Sequence, residues 1–263
     1  MSPNGYAFWG SETNYIKRTV PMRDKIEKKV KSIIDDGFDV TDIDYIPDID
    51  DKNLTFGNKG LRFEAVTLFI DMRGSTKVLN QHNRTTVAKL HKSYFHTIVT
   101  IAKSFGGEVR SFNGDGMLVF FKGTSRQIIG DAVEAAMKMK WMLASEESVV
   151  NKKMEKYSSI NFGIGIDGGK VLCSKIGITG SNNRDLVWIG NAVNKSVKIG
   201  DSLSGKVGIS SWIYENLNRR VKYVKRKNIF GVDVDKNMWE EDEFDYNKES
   251  QRYYTTTYYW EFS

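Results

Sequence analysis

The segment RSFNGDGMLVFF, residues 110–121, constrains the fold more tightly than any other stretch of the chain. Asn113-Gly114 is the dipeptide best suited to a tight hairpin, because both central residues of that turn take positive φ. An apolar run leaves the far side of the turn, so the segment predicts two antiparallel strands over residues 108–121. Asp115 stands at the corner between two glycines. Alone, it reads as a solvated turn residue; a second carboxylate brought to the same place would make it a ligand.

LFIDMRGST, residues 68–76, offers that carboxylate. Asp71 comes near the end of EAVTLFIDM, a run apolar enough to be a buried strand, where a charge is unfavourable unless something pairs with it. Between the two acids, TTVAKLHKSYFHTIVTIAKSF has helical apolar spacing and stops at Gly106-Gly107. In a strand–helix–hairpin unit the first strand lies beside the hairpin, so Asp71 and Asp115 can approach one another. With no cation between them they repel, and one takes up a proton. Paired carboxylates gripping divalent ions are a common solution for phosphoryl chemistry. The stretch from Met72 through Arg73, Gly74, Ser75 and Thr76 then supplies N–H groups at a helix N-terminus, where a triphosphate would sit.

Residues 1–20 read as irregular, 21–36 as an amphipathic helix and 41–60 as an acidic, turn-rich connector. The boundary expected from this pattern separates an N-terminal segment, 1–60, from a main domain, 61–263. A long helix is expected near 125–147, and INFGIGIDGGKVLCSKIG reads as two short strands around a Gly168-Gly169 turn. DLVWIG is a strand leading into the helical NAVNKSVKIGDSL, and KVGISS starts another strand–helix pair. Residues 232–250 look acidic and irregular, and the β-forming tail YYTTTYYWEF should close the sheet as its final strand. The order gives an α+β protein, a mixed and mainly antiparallel sheet covered by helices.

The net charge of +6 invites a nucleic-acid partner, yet the lysines interleave with acids, as in RDKIEKKVKSIIDD, and form no basic stripe. No nucleic-acid binding is expected; the excess charge suits a small polyanion such as a nucleoside triphosphate. The single cysteine, Cys173, rules out an internal disulfide and fits a reducing cytoplasm. No segment has the length of a membrane span, and the N-terminus shows no secretion signal, so no membrane insertion is expected.

Four motifs, in this order, resemble those of the class III nucleotidyl cyclases across residues 62–227. FIDMRGST looks like that family's first-strand motif, FNGDGMLVFF like its metal-binding hairpin and GIGIDGGKV like its fourth-strand stretch. DLVWIGNAVNKSVKI is similar to the segment ending in the family's transition-state asparagine and, four residues later, arginine. The resemblance implies a ferredoxin-like core and a homodimer with two shared sites. Asp71, the Met72 carbonyl and Asp115 of one chain would hold two Mn²⁺ or Mg²⁺ ions, and Asn194 with residue 198 would come from the other. Position 198 is Lys, which keeps the charge but loses the planar fork. A catalytically silent, nucleotide-binding regulator is therefore the alternative, against which stand the two carboxylates and Asn194.

Where adenylyl cyclases carry a purine-reading lysine and its Asp or Thr partner, this chain aligns Ser111 and Val187, and neither reads a purine edge in the usual way. Side chains alternate along a strand, so Phe69, Asp71 and Arg73 share one side. Singly, Phe69 reads as core and Arg73 as a surface ion pair; together they form an aromatic shelf and a donor fork in a pocket shallow enough for a pyrimidine. This arrangement, with the run IPDIDDKNLTFGNKG, resembles the pyrimidine cyclases of bacterial Pycsar anti-phage systems. The likeness implies conversion of UTP or CTP to the 3′,5′-cyclic nucleotide and pyrophosphate, with a separately encoded effector responding to the product. Arg73 is donor-only and cannot satisfy the cytosine amine, so UTP is expected over CTP. His82, His91 and His96 read as structural and Cys173 as a buried strand residue. Lys225, Arg226 and Lys227 sit near the family's phosphate-binding lysine, or form a solvated strand end. FGGE at 105–108 matches diguanylate cyclases only loosely, because the hairpin turn here is Asn-Gly-Asp-Gly.

Overall fold

The computed structural model describes residues 21–178, 180 and 182–262, so the expectation for residues 1–20 lies outside the described residues. The chain forms two compact units, Met1–Phe38 and Asp39–Ser263. In the first, helix α1 (Pro21–Asp35) covers the expected segment, and Met22, Ile26 and Val30 recur every four residues along one stripe.

The second unit begins with β1 (Asp39–Asp42) and β2 (Lys59–Arg73), followed by the short α2 (Ser75–Gln81) and the long α3 (Arg84–Ser104). The expected hairpin follows as β3 (Gly107–Asn113) and β4 (Gly116–Lys122), then α4 (Arg126–Ala144) and a further turn of helix, α5 (Val149–Glu155). Next come β5 (Asn161–Gly177), β6 (Arg184–Ile189), α6 (Asn191–Ser202), β7 (Lys206–Ser210), α7 (Ser211–Asn216) and α8 (Arg219–Lys222). The chain finishes with β8 (Tyr223–Lys227), β9 (Asp233–Asn237), β10 (Glu240–Tyr246) and β11 (Glu249–Thr256). The main sheet runs β10-β11-β7-β5-β2-β4-β3, with β1 pairing β2 and β6 pairing β5. Among the described residues only β1–β2 and β5–β7 are parallel, which gives the mixed, mainly antiparallel α+β fold expected.

Alternation on β2 decides which side each residue serves. Val66, Leu68, Ile70 and Met72 join the large core beneath α3 and α4, where Asn83 and Ser125 cap the helices by accepting from Thr86 N and Ile128 N. Leu61, Phe63 and Ala65 face the opposite way into a second core with Ala192 and Val193 of α6, and Phe69 packs against it. The segment read as a connector belongs to this core: Leu54 is buried in it, and Ile43, Ile46 and Ile49 pack on it. Arg62 grips Asp42 through two nitrogens at 2.6 and 2.8 Å, which fixes β1 to β2. The compact unit accordingly starts at Asp39, ahead of the boundary expected at residue 61. Among the described residues no helix is long and apolar enough to cross a membrane.

Three expectations are corrected. INFGIGIDGGKVLCSKIG is one strand, because β5 pairs with β2 without a break from Leu61↔Cys173 to Arg73↔Asn161. Gly168 and Gly169 sit mid-ladder opposite Val66 and Ala65; a Cβ on Gly168 would stand 2.5 Å from the Trp212 ring, so glycine answers a close approach instead of making a turn. Residues 232–250, expected to be irregular, supply β9, which pairs with β8 in a separate ribbon, and β10, the sheet edge. Asn247 (φ 54°) and Lys248 (φ 67°) make the two-residue turn into β11. An exposed edge strand tolerates acids, and Glu243 lies opposite Arg252. β11 ends at Thr256 and lies between β10 and β7, so the tail contributes an interior strand only as far as that residue.

Candidate active site

The β3–β4 turn places the first acid. Asn113 pairs with Gly116, so the two central residues are Gly114 and Asp115, one position later than the Asn-Gly expectation. Gly114 alone takes a positive φ, 64°, the pattern of a turn with glycine first. Asp115 thus sits at the hairpin tip beside the end of β2. A Cβ on Gly116 would lie 3.1 Å from Asp71 Oδ1, so the Asp71 carboxyl lies across that glycine toward the turn. The two acids meet as expected: burial pushes the Asp71 pKa up to about 6, the Asp115 charge adds to this, and Arg73 opposes it.

Such a pair fits a divalent cation, which would relieve the repulsion and the loss of hydration together. Among the described residues no group of three His, Cys, Asp or Glu side chains could hold a metal. The side-chain donor set is therefore the two carboxylates.

Arg73 is bound within the chain. Its Nη1 donates to Asp71 Oδ2 at 3.0 Å and lies 3.5 Å from Asp201 Oδ1, Nε donates to Leu203 O at 3.0 Å, and Nη2 donates to Gly200 O. Phe69 is wedged between hairpin and helix: a Cβ on Gly116 would stand 3.2 Å from its ring, and one on Gly200 2.9 Å. A β-bulge at Arg110 shifts the hairpin register, so that Ser111 pairs Leu118, which pairs Phe69. Ser111 therefore shares a cross-strand row with Phe69. The bulged Arg110 binds Pro47 O at 2.9 Å and Ile46 O at 3.3 Å.

The glycines of GIGID seat α6. A methyl on Gly165 would collide with the Ser196 carbonyl and the Gly200 amide, and one on Gly163 with the Gly200 carbonyl, so β5 and α6 touch backbone to backbone. Gly165→Ala is expected to lower stability by about 3 kcal/mol or more, because neither backbone can retreat. A urea-unfolding midpoint equal to that of the wild type would refute this.

Asn194 and Lys198 lie exposed, one turn apart on α6, and neither side chain makes a hydrogen bond or ion pair with another described residue. Val187 is half-buried on β6 opposite Ser174. Gly74, in the left-handed region at φ 71°, starts α2, with Ser75 half-buried and Thr76 exposed. Within one chain, then, Phe69, Asp71, Arg73, Ser111 and Asp115 gather at one end of the sheet, while Asn194 and Lys198 face outward. Lys225, Arg226 and Lys227 are exposed on β8, in the separate ribbon. Cys173 is buried, which pushes its thiol up to about 12. His91 Nδ1 lies 2.9 Å from Val87 O, and the His82 ring stacks edge-on against Tyr157, both structural arrangements.

Two neighbours of the acids carry no signal in the sequence. Tyr94, fully buried on α3, leaves its hydroxyl without a partner among the described residues; burial raises its pKa, as do the charges of Asp71 and Asp115. It reads as one more apolar-face residue of a helix. Asp201 also raises the Asp71 pKa, from a helix end 130 residues away in sequence.

Residues 60–240 match the family described as the adenylate and guanylate cyclase catalytic domain. The chain is 28% identical over 213 residues to a uridylate cyclase from Xanthomonas perforans, covering 80% of this chain and 89% of that one. It is 30% identical over 213 residues to a uridylate cyclase from Gulbenkiania mobilis, covering 76% and 81%. A cytidylate cyclase from Staphylococcus aureus is 26% identical over 65% of this chain and 42% of its own length. Among solved structures, a guanylyl cyclase shares the fold at a TM-score of 0.60 and 22% identity, covering 76% of this chain and 94% of that one. The match spans the strand that carries Asp71, the hairpin that carries Asp115 and the helix that carries Asn194, and on it the chain belongs to the adenylate and guanylate cyclase catalytic domain family, the class III nucleotidyl cyclases.

Proposed function

We propose that this cyclase converts UTP to 3′,5′-cyclic UMP and pyrophosphate in the bacterial cytoplasm, and that the product activates a separately encoded effector in anti-phage defence. The meeting of Asp71 and Asp115, with Asp71 pushed up to about 6, carries the reading. Asp71, Asp115 and the Met72 carbonyl would hold Mn²⁺ or Mg²⁺. When bound, these ions lower the pKa of the ribose 3′-hydroxyl and offset the charge of the phosphates.

The bond that forms joins the 3′-oxygen to the α-phosphorus, and the bond that breaks joins that phosphorus to the oxygen bridging to the β-phosphate. Pyrophosphate leaves, and the hydroxyl proton passes to solvent. Lys198 and Asn194 face the charge that grows on the α-phosphate and the leaving group, the first as a point charge and the second as a neutral donor. Their exposure on α6 suits delivery across a homodimer interface, each chain completing its partner's site.

Phe69 offers a π-face to either pyrimidine, and Ser111 can donate or accept. The uracil preference draws its support from the similar proteins named uridylate cyclase, since all three Arg73 guanidinium nitrogens are engaged within the chain. The test supplies purified protein and Mn²⁺ with equal UTP and CTP, and identifies the product by mass spectrometry. Cyclic UMP is expected to dominate. Dominant cyclic CMP would reverse the base assignment. No pyrophosphate from any of the four triphosphates would instead favour a nucleotide-binding regulator without turnover.

A further inference from the structure

Arg73 stands two residues beyond Asp71 at the end of β2, and the acceptors it meets come from two different elements. Asp71 is on its own strand; Gly200 and Asp201 belong to the last turn of α6, and Leu203 is the residue that ends it. The final carbonyls of a helix lack partners inside the helix, and the dipole there favours a cation. Part of the guanidinium's space depends on glycine: a Cβ on Gly163 would stand 2.9 Å from Arg73 Nη2 and 2.7 Å from Leu203 O. The Arg73 side chain is only 25% exposed.

We infer that Arg73 is a positioning residue, which ties the strand bearing Asp71 to the C-terminal turn of the helix bearing Asn194 and Lys198, and that it does not read the base. To reach a uracil carbonyl the guanidinium would have to abandon two carbonyls and a carboxylate in a partly buried place; Gly200 O would keep the Leu203 N–H, but Leu203 O and Asp71 Oδ2 would lose their donors. A mere counter-ion for Asp71 could as well be lysine. The planar fork is what serves a carboxylate and two carbonyls in different directions at once. The consequence for turnover rests on the cyclase reading above. Lys198 lies one turn before the tied end of α6, so freeing that end shifts groups that act on charge developing in the transition state. Such a shift lowers kcat more than it raises KM.

The experiment compares full-length wild type, Arg73→Ala and Arg73→Lys by three measurements. Hydrogen–deuterium exchange without nucleotide should show faster exchange over residues 199–206 in both variants, with α3 unchanged as the control for folding. The ratio of cyclic UMP to cyclic CMP from equal UTP and CTP should stay within about twofold of wild type, while kcat falls roughly ten- to a hundredfold and KM moves less than about threefold. Lysine should not restore the rate. A product ratio drifting toward equality, unchanged exchange over 199–206, or full rescue by lysine would overturn the assignment. If α3 exchange also rises in the alanine variant, Arg73→Gln, which is shorter than arginine but keeps the aliphatic stem and one donor group, replaces it. A wild type that makes no cyclic nucleotide would sink the cyclase reading alone, because the exchange measurement still decides whether Arg73 ties strand to helix.

Discussion

Asp71→Asn is expected to remove cyclic nucleotide formation, by a factor of roughly a thousand or more, while leaving the protein folded. The amide is nearly the same size and keeps an oxygen for Arg73, but it supplies no charge for a divalent ion. The substitution should also change the pH dependence of stability in a predictable direction. The folded-state pKa of Asp71 is raised, from 3.8 to about 6, chiefly by burial. A group of this kind favours the folded state most below its unfolded pKa, and that advantage is lost as pH rises through the folded one. Metal-free wild type should therefore lose stability relative to Asp71→Asn between pH 4 and pH 6, a window set by those two values. Melting curves of both proteins across that range check the sign. At pH 7, saturating Mn²⁺ should raise the melting temperature of the wild type and leave that of the variant nearly unchanged. A variant that keeps its Mn²⁺ response would remove Asp71 from the metal site.

The second large effect is recovery of activity by mixing two dead chains. Asp71→Ala lacks a carboxylate and Asn194→Ala lacks the outward-facing amide of α6, so each homodimer should be inactive. In a heterodimer, one site combines the intact carboxylates of the Asn194→Ala chain with Asn194 of the other chain, and the second site is doubly defective. With random exchange half the dimers are mixed, so about a quarter of wild-type activity should return. Heterodimers demonstrated by two affinity tags, yet without activity, would rule out a site shared between chains. Activity retained by the Asn194→Ala homodimer would remove that residue from the reaction.

Much of the site could be read from the sequence because its signals are local. An apolar strand ending in Asp71, a helix of regular spacing and a glycine-flanked Asp115 already compel the two acids to meet, since β2 has to lie beside the hairpin that follows α3. Even the turn's shift by one residue left Asp115 at the tip, because glycines flank it on both sides.

The remaining features depend on neighbours far away in sequence. Gly168-Gly169 carries the composition of a turn, and only the unbroken ladder with β2 and the Trp212 ring pressed against it keep the chain extended. The acidic run at 240–246 becomes a strand because Glu249–Thr256 offers it an edge, not because its own residues favour one. Ser111 reaches the row of Phe69 through a bulge whose extra residue, Arg110, is held by the carbonyls of Ile46 and Pro47. Arg73 is the sharpest case. From alternation alone it lies on the Asp71 side of β2, and the structure agrees, yet what its donors do is decided by carbonyls at the end of a helix 127 and 130 residues further on. Turn chemistry and periodicity therefore determined where the carboxylates stand. Tertiary packing decided which polar groups around them are already satisfied, because hydrogen-bond partners are assigned by proximity in the folded chain and leave no mark on the spacing of residues.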